Sequence, residues 1–230
     1  MSSPAVKKLA PQWAHLQAVL FDLDGTLIDS ADDLAGAANI LLARRGRAPL
    51  PHAQYRPHGG SGARGMLFQA FGVSPGEPTY EALKHEFLDC YEARMLQSTQ
   101  PFDGVACELA GLHQIGLTWG IVTNKAERFA LPLVAALGLK AATVVGGDTT
   151  AHTKPHPAPL LEAAHRLGIA PAACLYVGDD ERDIRAGRAA GMATAAAAWG
   201  YLGSLGSVAT WGADLELAAP GELLKHLGML

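Results

Sequence analysis

Two aspartates stand two residues apart at the end of an apolar run near the start of the chain. The stretch FDLDGTLIDS, residues 21–30, contains Asp22 and Asp24, followed by Gly25 and Thr26. Side chains two positions apart in an extended segment point to the same face, so both carboxyl groups can reach one ligand. One carboxylate can attack phosphorus, and the other can protonate the leaving oxygen and then activate water. This spacing predicts phosphoryl-transfer chemistry.

Two further groups of polar residues follow apolar runs later in the chain, and a lysine lies in a proline-rich loop just before a helical stretch. The groups are Thr123 with Asn124, and Asp179 with Asp180 and Asp183 in GDDERD; the lysine is Lys154 in HTKPHPAPL. Each group has an ordinary explanation when taken alone: a turn, a helix cap, a surface lysine or a solvated helix start. In an open parallel sheet, however, ligands bind outside the carboxyl ends of the strands. The groups together therefore predict one site at that edge.

Phosphoryl transfer with a hard cation would need this set of side chains. Several carboxylates in one cleft repel one another unless a cation neutralises them, and Mg²⁺ prefers oxygen ligands. The Thr123 hydroxyl and the backbone N–H of Asn124 can donate hydrogen bonds to phosphoryl oxygens, and the Lys154 ammonium can neutralise their charge. Gly25 allows close approach of the backbone to a phosphate, and Thr26 constrains the turn.

Short apolar runs alternate with helical patterns, which is typical of a parallel sheet built from βαβ units. Strands are predicted at 17–23, 117–123, 142–147, 173–179 and 192–198, with an edge strand at 213–218. Helices are predicted near 103–115, 127–138, 158–167 and 181–190. The fold class is therefore α/β, with a Rossmann-like three-layer core.

The segment 31–100 shows helical periodicity and no convincing strand. Ser30 and Asp33 have the spacing of a capping box, which predicts a helix that begins there and ends before Gly46. Further helices are predicted at 63–71 and 79–96, the last with an apolar stripe that indicates helix packing. The predicted organisation is an extension (1–16), an α/β core (17–30 and 101–230) and an inserted all-helical cap domain (31–100).

Composition excludes several function classes. The chain has 230 residues, is 49% hydrophobic and carries a formal net charge of -4. This balance argues against a general nucleic-acid or anionic-membrane surface. The N-terminal residues show no secretory signal, no stretch is long enough to span a membrane, and the three cysteines are widely spaced. We expect a cytoplasmic protein with a small-molecule partner, and either a monomer or a homodimer.

With the motifs DLDGT, VTN, KP and GDDERD in this order, residues 17–219 resemble the haloacid dehalogenase superfamily, in its phosphoglycolate-phosphatase-like branch. The resemblance implies a nucleophile at Asp22, an acid/base at Asp24, and phosphate binding by Thr123 and Lys154. It also implies Mg²⁺ held by Asp22, the Asp24 carbonyl and Asp179. Asp180 and Asp183 are then candidates for indirect contacts, and the sequence leaves open which of the three aspartates ligates directly.

The resemblance further implies that a loop of the cap selects the substrate. That loop corresponds to RPHGGSGARGM, residues 56–66, in which Arg64 or Arg56 can bind a carboxylate, beside Ser61 and Gly62. Other stretches, such as YVGDDERDIRAGRAAG, resemble N-acetylmuramic acid 6-phosphate phosphatases. Both substrate types carry a carboxylate beside a phosphomonoester, and the sequence does not separate them. The same motifs fit a phosphosugar mutase, and a phospho-accepting receiver domain is the non-enzymatic alternative.

Overall fold

The structure is a computed structural model that describes residues 9–203 and 207–229. The strands are β1 (Ala18–Phe21), β2 (Ile28–Asp29), β3 (Gln100–Pro101), β4 (Thr118–Val122), β5 (Val144–Val145), β6 (Cys174–Gly178), β7 (Ala193–Ala197) and β8 (Leu215–Leu217). The helices are α1 (Ala31–Arg44), α2 (His52–Tyr55), α3 (Gly62–Phe71), α4 (Tyr80–Glu92), α5 (Val105–Gln114), α6 (Glu127–Ala136), α7 (Ala158–Leu167), α8 (Glu181–Ala189) and α9 (Glu222–His226). Among the described residues, no helix is long and apolar enough to cross a bilayer.

Six parallel strands form the main sheet, in the order β5-β4-β1-β6-β7-β8. Strand β1 is central, and its Ala18 lies opposite Thr118 of β4 and Cys174 of β6. All four of its residues are buried, as expected for a strand covered on both faces. The chain order reverses beside β1, so the crevice at its carboxyl end is the expected ligand site.

Alternate residues of β1 enter two different cores. Val19 and Phe21 pack in one cluster with residues of α5 and α6, whereas Ala18 and Leu20 pack in another with residues of α7 and α8. Helices therefore cover both faces of the sheet. The three-layer α/β core predicted from the sequence is confirmed, with all six predicted strands present.

Helices α1 to α4 with their connections, residues 31–99, form a helical insert between β2 and β3. These two short strands pair antiparallel, with Ile28 opposite Pro101. The segment that enters the insert and the segment that returns from it therefore lie side by side. The sequence did not predict this pair, because two-residue strands have no periodicity to detect. Helix α4 ends at Glu92 rather than at 96, but the predicted apolar stripe is buried: Tyr80, Leu83, Phe87, Tyr91 and Met95.

The predicted capping box at the start of α1 is wrong. Ser30 is the N-cap residue, but its side chain makes no cap hydrogen bond and instead donates to Asp24. Asp33 is fully buried and accepts hydrogen bonds from the N–H groups of Ser98 and Thr99 and from the Thr99 hydroxyl. Three donors from the returning chain satisfy this carboxylate, so a tertiary contact takes the place of a local cap.

The described part of the predicted N-terminal extension packs on the core. Leu16 is buried, and the N–H of Ala10 donates to the carbonyl of Leu227 at 2.9 Å. A short 3-10 helix spans Pro11–Trp13. The described part of the extension, residues 9–16, therefore contacts the C-terminal part of the core, and residues 1–8 lie outside the described part of the chain.

Candidate active site

Asp22 follows β1 directly and stands at the carboxyl edge of the sheet. Its N–H donates to Val177 at 2.9 Å, which continues the pairing of β1 with β6. Its Oδ1 accepts the N–H of Leu23 at 2.7 Å and lies 2.8 Å from the Lys154 ammonium. The side chain is 14% exposed. The carboxylate is thus held in one orientation and still reachable from the cavity above it.

Asp22, Asp179 and Asp183 offer carboxylate oxygens that lie within 4.8 Å of one another. Asp179 and Asp183 are buried, each 1% exposed. Asp179 accepts the Thr26 hydroxyl at 3.2 Å and the N–H of Tyr201 at 2.7 Å. Hard oxygen ligands gathered in this way suit a divalent cation such as Mg²⁺.

Two glycines make room for the Asp179 carboxylate. Gly25 has a φ of 86°, a left-handed conformation that favours glycine, and a Cβ there would lie 2.1 Å from Asp179 Oδ2. A Cβ on Gly200 would lie 2.2 Å from Asp179 Cβ. The backbone on both sides is therefore packed onto this carboxylate and fixes its place beside Asp22.

The acidic cluster carries more negative charge than its surroundings balance. Burial raises the pKa of Asp22 to about 6; the Lys154 charge opposes this rise, and Asp183 adds to it. Burial, and then the charges of Asp22 and Asp183, raise the pKa of Asp179 well above its usual value. A bound cation would relieve this repulsion and keep the carboxylates ionised.

Lys154 is the cation that the protein itself supplies. Its ammonium contacts Asp22 at 2.8 Å, Asp183 at 2.7 Å and the Tyr176 hydroxyl at 2.8 Å. Burial by itself would lower the pKa of Lys154, but Asp183 and Asp22 raise it overall, so this side chain remains charged. Nothing in the sequence singles out Tyr176, which lies in the middle of a buried strand.

The Asn124 side chain holds the Lys154 loop in place. Its amide donates to the Lys154 carbonyl at 3.0 Å, and its Oδ1 accepts the Lys154 N–H at 2.9 Å. Asn124 follows β4, whereas Lys154 precedes α7. This pair of hydrogen bonds therefore fixes the lysine relative to the sheet edge. Thr123, also at this edge, is 3% exposed, and its hydroxyl accepts the N–H of Lys125 at 3.1 Å.

Asp24 has different neighbours from Asp22. Its Oδ1 accepts the Ser30 hydroxyl and lies 3.1 Å from the Lys125 ammonium. Lys125 also donates to the hydroxyl of Tyr91, a residue of α4 in the helical insert, at 2.6 Å. The sequence analysis missed Lys125, although its position directly after Thr123 and Asn124 was a usable signal. Nothing in the sequence pointed to Tyr91 beyond its place in the apolar stripe.

Asp180 is separated from the acidic cluster. It caps α8, and its carboxylate forms a two-point contact with Arg182, with both distances 2.8 Å. The Asp183 side chain accepts the Asp180 N–H at 3.1 Å, which completes a capping box. Arg182 also donates to the carbonyl of Gly60 at 2.7 Å and so connects the core to the helical insert.

A cavity of about 910 Å³ lies over Asp22 and Asp24. Its core side includes Thr123, Asn124, Lys125 and Lys154, and its insert side includes Ser61, Gly62, Arg64, Tyr80, Phe87 and Tyr91. Arg56 is not in this lining, because it pairs with Asp29 at 2.8 Å and lies over the Tyr201 ring. Thr26 is fully buried, so its hydroxyl reaches Asp179 and not a ligand in the cavity.

Comparison with known proteins identifies the family to which this chain belongs. Residues 19–197 match the family described as haloacid dehalogenase-like hydrolase. The matched span runs from β1 to β7 and includes both aspartates after β1, Thr123, Lys154 and the aspartates after β6. The chain belongs to this family. That membership excludes the receiver-domain alternative.

The relatives of this haloacid dehalogenase-like hydrolase include proteins named as phosphatases. A phosphoglycolate phosphatase of Xanthomonas campestris is 48% identical over 209 residues, which cover 90% of this chain and 94% of the relative. An N-acetylmuramic acid 6-phosphate phosphatase of Pseudomonas aeruginosa is 42% identical over 215 residues, which cover 93% of this chain and 95% of the relative. A crystal structure of a predicted phosphoglycolate phosphatase from Haemophilus somnus superposes with a TM-score of 0.81 at 26% identity. The superposition covers 92% of this chain and 97% of that protein.

Proposed function

We propose that this protein is a Mg²⁺-dependent phosphomonoester hydrolase that works through an aspartyl phosphate on Asp22. The observation that carries the proposal is the placement of the Asp22 carboxylate beside Asp179, Asp183 and the Lys154 ammonium at the carboxyl edge of the sheet. The phosphatase names of relatives at 42% and 48% identity support the same reaction class.

The proposed reaction has two steps. Asp22 attacks phosphorus, while the Lys154 ammonium neutralises charge on the phosphoryl oxygens and the Thr123 hydroxyl donates a hydrogen bond to them. Asp24 protonates the leaving oxygen and then, as a base, activates the water that cleaves the aspartyl phosphate. Dividing the reaction between two carboxyl groups accounts for their presence two residues apart.

The residues proposed to hold Mg²⁺ are Asp22, the Asp24 carbonyl and Asp179, with Asp183 close by. Asp183 lies within the same cluster, whereas Asp180 is committed to Arg182, which favours Asp183 over Asp180 as the supporting acid. When bound, the cation supplies charge neutralisation for the transferring phosphoryl group. Asp180 then acts by capping α8 and so placing Asp179 and Asp183.

We further propose that residues 31–100 form a cap domain and that residues 17–30 and 101–230 form the catalytic core. The β2 and β3 pair joins the two parts at one place. Outside that pair, the cavity has lining from both parts, including Arg64 from the insert. A cap placed in this way would exclude bulk water during the reaction.

The proposed substrates are small phosphate esters that carry a carboxylate, either 2-phosphoglycolate or N-acetylmuramic acid 6-phosphate. Arg64 is exposed, lines the cavity and has no ion pair among the described residues, so its guanidinium is available to a substrate carboxylate. The cavity of about 910 Å³ has room for either compound. Ser61 and Gly62 stand beside Arg64 and would contribute polar contacts.

The test measures phosphate release from both compounds with and without Mg²⁺. Asp22→Asn should lower activity by at least about a thousandfold, because it removes the attacking carboxylate. Arg64→Ala should lower kcat/KM for carboxylated esters by about 10- to 100-fold, which corresponds to the free energy of a hydrogen bond to a charged group. Arg44→Ala, an exposed arginine of the insert outside the cavity lining, is the matched control.

Three results would reject parts of the proposal. A folded wild-type protein that releases no phosphate from a broad panel with Mg²⁺ would reject the hydrolase. Conversion of a sugar 1-phosphate to its 6-phosphate without net phosphate release would identify the mutase alternative. If Arg64→Ala leaves selectivity for carboxylated esters unchanged, the assignment of Arg64 fails and the hydrolase assignment stands.

A further inference from the structure

We infer that Tyr91 is a positioning residue for Asp24 and acts through Lys125. The helical insert thereby contributes to the orientation of the acid/base carboxylate, although no residue of the insert takes part in the proposed proton transfer. The inference rests on the proposed function of Asp24. It adds a role for two side chains, Tyr91 and Lys125, that the catalytic assignment leaves unexplained.

Three groups form a continuous chain of contacts from the insert to the site. The Lys125 ammonium donates to the Tyr91 hydroxyl at 2.6 Å and lies 3.1 Å from Asp24 Oδ1. The same ammonium lies 4.4 Å from the centre of the Tyr91 ring. These distances correspond to a strong charged hydrogen bond on one side and an ion pair on the other.

Tyr91 is a rigid support for the lysine. Its side chain is buried, with 2% exposure. Its ring stacks on the ring of Phe87, with 6.3 Å between the ring centroids. It also contacts the ring of Phe129 of the core edge-on, with 5.6 Å between the centroids. A lysine stem is flexible, with several rotatable bonds, so an ammonium without a fixed partner samples many positions. The buried Tyr91 hydroxyl restricts Lys125 to the position that contacts Asp24.

Lys125 in turn restricts Asp24. Among the described residues, the Asp24 side chain contacts Ser30 and Lys125, and both contacts are to the same oxygen, Oδ1. With Oδ1 held, the second oxygen, Oδ2, is left free to face the leaving group. If Lys125 lost its place, Asp24 would keep only the Ser30 contact, and its carboxyl group would be free to rotate. Misplacement of this kind lowers the rate without removing the catalytic group.

Tyr91→Phe isolates this effect because it keeps the ring and removes the hydroxyl. The measurement is kcat/KM for 2-phosphoglycolate, whose alkoxide leaving group needs a proton, and for p-nitrophenyl phosphate, whose phenolate leaves without one. We expect kcat/KM for 2-phosphoglycolate to fall about tenfold, which is part of the 10²- to 10⁴-fold rate enhancement that general acid catalysis typically supplies. The expected loss for p-nitrophenyl phosphate is less than about twofold, because kcat/KM does not include hydrolysis of the aspartyl phosphate.

Two further variants make the test specific. Tyr55→Phe removes another buried tyrosine hydroxyl of the insert, one that contacts Asn39 at 3.0 Å and lies outside the cavity lining. It should leave both rates unchanged. In a Lys125→Met background, Tyr91→Phe should cause no further loss, because the residue through which it acts is already absent.

Several outcomes would overturn the inference. They are an equal loss with both esters, no loss with either, a change in KM alone, or a tenfold loss that persists in the Lys125→Met background. The first would indicate a general structural role, and the third would indicate that Lys125 binds substrate directly. If wild type releases no phosphate from any ester, the proposed function itself has failed, and that result is separate from all four.

Discussion

Replacing Lys154 by methionine should destabilise the metal-free protein, and the loss should depend on both pH and Mg²⁺. Methionine preserves much of the lysine stem but removes the ammonium that lies 2.8 Å from Asp22 and 2.7 Å from Asp183. The partly exposed Asp22 and the buried Asp183 then have no cation in direct contact among the described residues. This variant therefore measures how far the acidic cluster depends on positive charge.

The size of the effect follows from the contacts. Removing one partner of a buried ion pair costs about 3–5 kcal/mol, because the remaining charge stays buried without compensation. Protonation limits this cost. The pKa of Asp22 is already raised to about 6 by burial, and loss of the opposing Lys154 charge would raise it further.

The pH dependence has a definite sign. A carboxyl group whose pKa is higher in the folded than in the unfolded state contributes stability at low pH, and that contribution is lost as pH rises through the folded pKa. The deficit of Lys154→Met relative to wild type should therefore grow by up to about 2 kcal/mol between pH 5 and pH 7.5, because each pH unit above the Asp22 pKa of about 6 is worth about 1.4 kcal/mol, and it should not exceed the 3–5 kcal/mol of a broken buried pair.

Urea unfolding at both pH values, with EDTA or with millimolar Mg²⁺, provides the assay. Mg²⁺ should stabilise the variant more than wild type at pH 7.5, with about 2.7 kcal/mol gained at a hundredfold excess over Kd. Lys140→Met, which removes an exposed lysine after α6, is the control. Phosphatase activity should still fall by about 10²- to 10³-fold with Mg²⁺ present, because Lys154 also neutralises phosphoryl oxygens.

The reasoning is refuted if the variant loses less than about 1 kcal/mol at pH 7.5 in EDTA, against the 3–5 kcal/mol expected for a buried pair. It is equally refuted by a deficit that is the same at pH 5 and 7.5, because Asp22 would then not be the group that requires the lysine. Equal stabilisation of wild type and variant by Mg²⁺ would show that the cation binds elsewhere.

Two further substitutions probe neighbouring parts of the fold. Thr26→Val removes the hydroxyl that donates to Asp179 and should weaken Mg²⁺ binding by about 10- to 100-fold in calorimetry, while Thr210→Val, at an exposed position, should not. Glu108→Gln removes a buried carboxyl whose pKa burial raises to about 7 against the opposing N–H groups of Gly221 and Leu223. Because charging Glu108 above its folded pKa destabilises the fold, the variant should gain on the order of 2–3 kcal/mol at pH 8 in urea unfolding. It should gain nothing at pH 5, and a gain independent of pH would contradict the argument.

The strands and their polar ends could be predicted because the signal for each is local. Residues 18–21 and 174–178 are buried on both faces of the sheet, so they appear in the sequence as continuous apolar runs. The position of Asp22 then follows from parallel pairing, since the carboxyl ends of all such strands meet at one edge. The aspartates after β6 lie beside Asp22 for the same reason.

The contacts that orient these side chains could not be predicted in the same way, because their partners are distant in the sequence. Thr26 has the spacing of a turn residue, yet its hydroxyl donates to Asp179, 153 positions away. Asp33 has the spacing of a capping residue, yet it accepts hydrogen bonds from Ser98 and Thr99. In both cases a short polar side chain could satisfy itself locally, and burial against a distant segment decides the outcome.

The two aspartates of the DLDG turn depend on different parts of the molecule. Among the described residues, the Asp22 carboxylate contacts only core groups, the N–H of Leu23 and the ammonium of Lys154. Asp24 contacts Ser30, which immediately precedes the insert, and Lys125, which is itself held by Tyr91 of the insert. A displacement of the helical insert would therefore reach Asp24 through two contacts and leave the contacts of Asp22 in place. Under the proposed mechanism, such a displacement changes proton transfer before it changes the attacking carboxylate. The position of the insert would then control when the leaving group can be protonated.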